Sequence, residues 1–189
     1  MTVPVGTDAQ ADHASGRWNR RAWFAAAGAA ALGTGWLVAS RRGNHDEAKE
    51  TAAASIWDWT LTRPDGTPLP LASMRSGGLV LNFWATWCAP CLREFPELDR
   101  FERDMRASGW RVVGAAVDQP APVREFLAKT PVSFAIGIGG FDALERARAL
   151  GNSQGGLPFT AVFAPGGRLL KTILGETNRD ALVAIVNTR

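Results

Sequence analysis

Cys88 and Cys91 are the only cysteines among 189 residues, and the only histidines, His13 and His45, lie in the first fifty. That inventory excludes several chemistries. A structural zinc site needs four nitrogen or sulfur donors held together, and only two sulfurs are at hand. A cysteine-protease pair needs a histidine beside its thiol, and c-type haem attachment needs one directly after the second cysteine, where Leu92 stands. What two thiols three positions apart can still do is form and break a disulfide.

Their surroundings favour that chemistry. Trp87-Cys88-Ala89-Pro90-Cys91 follows an apolar run, Leu79 to Trp84, and opens a segment with helical spacing. At the first turn of a helix, unpaired backbone N–H groups and the helix dipole stabilise negative charge. Cys88 is therefore expected to ionise more readily than a free cysteine of pKa about 8.5 and to act as the nucleophile. Cys91, one turn further in on the same side, is the expected resolving thiol, better shielded and close enough for a disulfide. Pro90 has no N–H to lose and suits the first turn.

The elements that must position this pair can be read coarsely. Ile56 to Leu61 alternates apolar and polar residues, Pro64-Asp65-Gly66 supplies a turn, and Leu69 to Leu71 returns, which predicts a leading hairpin. Leu79 to Trp84 reads as a central strand covered on both faces. Pro90 to Ser108 reads as a helix interrupted by Pro96, with Leu98, Phe101 and Met105 on its apolar side. Arg111 to Val117 is a second buried strand. A short helix marked by Val123, Phe126 and Leu127 follows, then a strand within Val132 to Ile138 and a helix from Asp142 to Leu150 ending at Gly151. Phe159 to Phe163 and Leu169 to Leu174 flank a Pro-Gly-Gly turn, and a last helix capped near Asn178 carries Leu182, Ile185 and Val186 on one face. The expected fold class is α/β, a central mixed sheet with helices on both sides.

Composition agrees with one core. At 46% hydrophobic and 21% charged, with 20 Gly and 11 Pro, the chain is neither collagenous nor disordered, and its length allows one domain with about fifty residues over. Net charge is +3 with the basic residues, mostly Arg, dispersed, so no nucleic-acid partner is indicated.

The surplus lies at the N-terminus. Residues 1–21 are basic, and Ala22 to Ser40 contains no charged residue between Arg17, Arg20 and Arg21 on one side and Arg41 and Arg42 on the other. As a helix this run would measure about 28 Å, just enough to span a bilayer. It reads as an uncleaved membrane anchor or as the apolar part of a cleaved export signal. Arg20-Arg21 also loosely fits a twin-arginine signal. Residues 41–55 read as a tether with no apolar face, and residues 56–189 as the folded domain.

The run Leu81-Asn82-Phe83-Trp84-Ala85-Thr86-Trp87-Cys88-Ala89-Pro90-Cys91-Leu92-Arg93-Glu94-Phe95-Pro96 resembles the thioredoxin superfamily, and more closely its membrane-tethered TlpA/ResA-like thiol-disulfide oxidoreductases. The resemblance extends over about Ile56 to Arg189. It implies a thioredoxin-like fold with an N-terminal hairpin extension, and a cis proline facing the cysteines to orient incoming peptide, a place taken here by Leu157-Pro158. It implies that Glu94 is a partly buried carboxyl acting on the thiols' protonation, since a nearby carboxylate raises a thiol pKa and exchanges protons. A solvated helix residue is the plainer reading of Glu94. Asn82 stands where ordinary thioredoxins carry a buried acid, which shifts proton handling towards Glu94. Trp84 and Trp87 read as an apolar platform beside the disulfide or as core packing, while Trp57, Trp59 and Trp110 read as packing.

The resemblance further implies a reductant of partner-protein disulfides, with apocytochrome c as an example. It would work in the bacterial periplasm or on the outer face of the cytoplasmic membrane, re-reduced by a membrane thiol-reductase. The redox-active disulfide itself would serve, with no metal and no further cofactor. Two other readings stay in play. A thiol peroxidase of the peroxiredoxin group would use Thr86 and Arg93, although not in that group's spacing. A non-catalytic docking or copper-chaperone module would have only Met74 and Met105 to add to the cysteines.

Overall fold

The computed structural model describes residues 47–188. Seven strands form one sheet in the order β2-β1-β5-β4-β3-β6-β7. They are β1 (Thr60–Thr62), β2 (Pro68–Pro70), β3 (Gly78–Trp84), β4 (Trp110–Ala116), β5 (Ala135–Ile138), β6 (Phe159–Phe163) and β7 (Leu169–Leu174). The central strands β3, β4 and β5 run parallel. β6 and β7 extend the sheet antiparallel on one side, and the β1–β2 hairpin extends it on the other. The helices are α1 over residues 47–55, α2 (Ala89–Met105), α3 (Pro120–Lys129), α4 (Gly140–Ala149) and α5 (Arg179–Val186).

Every residue of β3 is buried, as its continuous apolar run requires when helices cover both faces. Successive side chains alternate between two cores. Leu79, Leu81 and Phe83 join Ala53 of α1 and Ala143 and Ala147 of α4. Val80 and Trp84 join Phe95, Leu98 and Phe101 of α2, Val123 of α3 and Leu182 of α5. The same alternation turns Asn82 towards α2, a buried amide in an otherwise apolar row.

Local chemistry sets the helix ends. Asn178 caps α5 by accepting from Ala181 N–H at 2.9 Å, and α4 ends before Gly151, whose φ of +109° suits glycine. α2 continues through Pro96, which lies on the exposed side of the helix.

Three sequence expectations are corrected. Ile56–Asp58 forms a 3-10 turn, so the first strand is shorter than the alternation suggested. β5 likewise begins only at Ala135. Residues 47–55, read as tether, are helical, and Ala53 is buried against the sheet with Ala52 beside it, because two small methyl side chains give the helix a narrow apolar stripe that packs closely. The anchor or signal segment, residues 22–40, and the basic residues 1–21 lie outside the described residues. Among the described residues no helix is long and apolar enough to cross a membrane.

Candidate active site

β3 ends at Trp84, beside the C-terminal end of its parallel neighbour β4, and the chain then turns through Ala85, Thr86 and Trp87. Cys88 N–H closes this turn on Ala85 C=O at 3.1 Å, and Cys88 is the N-cap residue of α2. Its Sγ accepts a hydrogen bond from Cys91 N–H at 3.3 Å, so a backbone donor of the first turn already points at that sulfur. Cys88 and Cys91 are joined by a disulfide. Cys91 is fully enclosed, whereas Cys88 retains 5% exposure, so the outer sulfur is the one with any access to a partner.

The approach loop is pinned from the side. Asp118, just after β4, accepts from Thr86 N–H at 2.9 Å and from Thr86 Oγ1 at 2.6 Å through one carboxylate oxygen, and from Gln119 N–H at 2.7 Å through the other. Partial burial works to raise the Asp118 pKa. The hydrogen bonds from the Thr86 hydroxyl, Thr86 N–H and Gln119 N–H outweigh it and hold the group below the ordinary carboxylate range. Sequence reasoning missed Asp118, since an aspartate after a strand ordinarily reads as a solvated loop residue.

Glu94 lies beneath the pair. It follows Cys91 by three positions, hence on the same helix face, and is only 2% exposed. Asn82 Nδ2 donates to Glu94 Oε1 at 2.7 Å and to Thr160 Oγ1 at 3.0 Å, and Thr177 N–H donates to Glu94 Oε2 at 2.8 Å. Burial pushes the Glu94 pKa up to about 7. The hydrogen bonds from Thr177 and Asn82 work against the rise, and the nearby Glu176 charge adds to it. The plain reading of Glu94 as a solvated residue is thereby excluded. Asn82 meets Thr160 because β3 and β6 pair antiparallel in the register Asn82↔Thr160, a long-range match that spacing along the chain does not reveal.

The remaining predicted residues gather at the same end of the sheet. Pro158 is buried and its bond to Leu157 is cis. Phe83 pairs with Phe159, so continuing that register by one pair sets Pro158 opposite Trp84, where the cysteine loop departs. Leu157 is half-buried and packs against both cores, including the one that contains the cysteines. Pro90 is half-buried in the first turn of α2. The two tryptophans separate: Trp87 is 70% exposed, whereas Trp84 is fully buried with its ring 4.6 Å from Phe95 and 5.5 Å from Phe126. Trp84 is core, because it points to the α2 face of β3 under the helix. Trp57, Trp59 and Trp110 pack as expected.

The Redoxin family pattern matches residues 47–188. The chain belongs to the Redoxin family. It is 24% identical over 139 residues to the thiol-disulfide oxidoreductase ResA of Bacillus cereus, covering 72% of this chain and 78% of that protein. It is 29% identical over 124 residues to ResA of Geobacillus thermodenitrificans, covering 65% and 69%. Among solved structures, a thioredoxin-related protein from Neisseria meningitidis serogroup B is 35% identical, with a TM-score of 0.59 over 66% of this chain and 94% of that one. This Redoxin-family chain is a thiol-disulfide oxidoreductase with a thioredoxin-like fold.

Within that family membership, the residues named for the competing readings are otherwise engaged. The Thr86 hydroxyl is committed to Asp118, and the Arg93 guanidinium to Glu176, so neither is held ready to polarise a peroxide. Met105 ends α2 at the opposite end from Cys88, and Met74 lies before β3 begins, so neither thioether lies beside the sulfurs.

Proposed function

We propose that the protein reduces disulfides of partner proteins outside the cytoplasmic membrane, with Cys88 as nucleophile and Cys91 as resolving thiol. The observation that carries this reading is the asymmetry of the pair: Cys88 caps α2, accepts a backbone N–H and keeps some exposure, while Cys91 is enclosed beneath it. In the reduced state the Cys88 thiolate attacks one sulfur of a partner disulfide, forming a Cys88–partner bond and releasing the other partner sulfur as thiolate. Cys91, deprotonated, then attacks Cys88 Sγ, expels the second partner thiolate and leaves Cys88–Cys91 oxidised, two electrons having passed to the partner. Glu94 is the proton exchanger for Cys91 in this reading. Trp87, Pro90, Leu157 and Pro158 form the surface against which the partner's chain lies.

An exported dithiol is oxidised by its surroundings unless electrons reach it, so the reading includes a membrane thiol-reductase as donor. Apocytochrome c is the kind of substrate proposed, on the strength of the family resemblance and of the ResA relatives. The uncharged, mildly apolar run 22–40 between basic flanks supports the location, as an anchor or an export signal.

Trapping tests the reading. Cys91→Ser removes the resolving thiol, and a mixed disulfide between Cys88 and a specific partner is expected to accumulate in the native compartment. Failure to capture any partner there counts against dithiol exchange. A reduction potential near the thioredoxin value of about −270 mV fits a reductant, whereas one near about −120 mV marks an oxidant.

A further inference from the structure

Large apolar side chains standing in solvent are few among the described residues: Trp87 at 70%, Phe141 at 83% and Leu174 at 59% exposure. Two of the three line one depression of about 290 Å³ together with Val117, Gly140 and Leu144. The placement follows from the fold. Ala143 and Ala147 turn α4 inward, and Phe141, two positions and about 200° around the helix from Ala143, cannot reach the core. Val117 leaves the C-terminal end of β4 beside the loop that carries Cys88, at the edge of a parallel pair where α/β sheets commonly take ligands. The acid at the rim, Asp118, has both oxygens engaged by Thr86 and Gln119, which leaves the depression mainly apolar.

We propose that this depression, walled by Trp87, Phe141 and Leu144, is a subsite for a large aliphatic or aromatic side chain of the protein substrate, close in sequence to the substrate cysteine that meets Cys88. The inference rests on the disulfide-reductase reading above and adds its substrate preference. Continuity decides the occupant. Trp87 is both a wall of the depression and the residue before Cys88, so a partner chain presenting its disulfide to that sulfur passes within a few residues of the depression. Because Trp87 and Cys88 are adjacent, the filling side chain belongs to a residue near the reacting cysteine in the partner's sequence, at about 3.3 Å of reach per extended residue.

The test uses the reduced full-length protein and disulfide-linked dimers of a short peptide with one cysteine, carrying Leu, Phe or Ser at each of the three positions on either side. The reaction releases two peptide thiols and leaves the protein disulfide. Bis(hydroxyethyl) disulfide, which has no side chain to place, is the reference. The wild type is expected to reduce the Leu and Phe peptides about tenfold faster than the Ser peptide at one position, in the range that apolar pockets achieve. Phe141→Ser should erase that preference while leaving the reference rate unchanged, and Phe141→Leu should retain most of it. A flat wild-type profile, or a preference that survives Phe141→Ser, overturns the subsite while the reductase reading stands. Inertness towards the reference compound overturns both. A dimer in sedimentation that Phe141→Ser dissolves assigns the face to a second copy of the chain and overturns the proposal.

Discussion

Glu94 shows how much one side chain's surroundings decide. A glutamate in a helix is usually a solvated charge, but here an apolar core surrounds it and only Asn82 and Thr177 compensate, so its pKa rises from 4.5 to about 7. The group binds its proton more tightly folded than unfolded. Its contribution to stability is therefore complete below about pH 4.5 and is lost as pH rises through about 7. Relative to Glu94→Gln, the wild type is expected to lose up to about 3 kcal/mol over that window, read from urea unfolding at a series of pH values. A difference between the two proteins that stays constant with pH contradicts the assignment. In single-turnover reduction of a small disulfide, the wild type should show an inflection near pH 7 that Glu94→Gln lacks, since the neutral amide cannot exchange a proton with Cys91. The residue was legible as a candidate because it lies three positions after Cys91. Its Thr177 partner was not, because that N–H arrives from a segment 83 positions later.

Among the elements, the junction of β3 with α2 carries the chemistry, and Asp118 fastens it. The junction itself could be read from an apolar run followed by helical spacing, with Pro90 in the first turn. Its fastening could not, because Asp118 reaches Thr86 only once β3 and β4 lie parallel and in register from Gly78↔Trp110 to Trp84↔Ala116. Hydrogen bonds to a charged group contribute about 1.5–3 kcal/mol each net of the exchange with water, and less where, as at Asp118, the carboxylate is only partly buried. Asp118→Ala is accordingly expected to lower stability by about 1–2 kcal/mol and to slow alkylation of reduced Cys88 several-fold, because Thr86 and Trp87 lose their fixed position. Asp118→Asn, which can still accept from Thr86, should fall between. Unchanged alkylation in Asp118→Ala would mean that the loop holds its shape through the Cys88 N–H to Ala85 C=O bond alone.

At the scale of the molecule, two cores lie on opposite faces of one sheet; Ala85, Cys88 and Cys91 belong to one of them and the chain before β1 to the other. Ala53 of α1 is buried with Ile56, Trp57 and Phe163, so Ala53→Asp places a charge where nothing compensates it. A loss of about 2–4 kcal/mol is expected, read as a lower urea midpoint. An unchanged midpoint would return residues 47–55 to the role of a tether. The amino-acid sequence by itself determined the dithiol, its place at a strand-to-helix junction, the mixed sheet and the likeness to thioredoxin-type proteins, because these depend on neighbours within a few positions: periodicity, caps and motif spacing. Only tertiary structure decided that Trp84 is core and Trp87 surface, that α1 packs, that Glu94 is enclosed by Asn82 and Thr177, and that Phe141 shares a depression with Trp87. Burial and contact between residues remote in sequence arise from strand order and register, which no local pattern records.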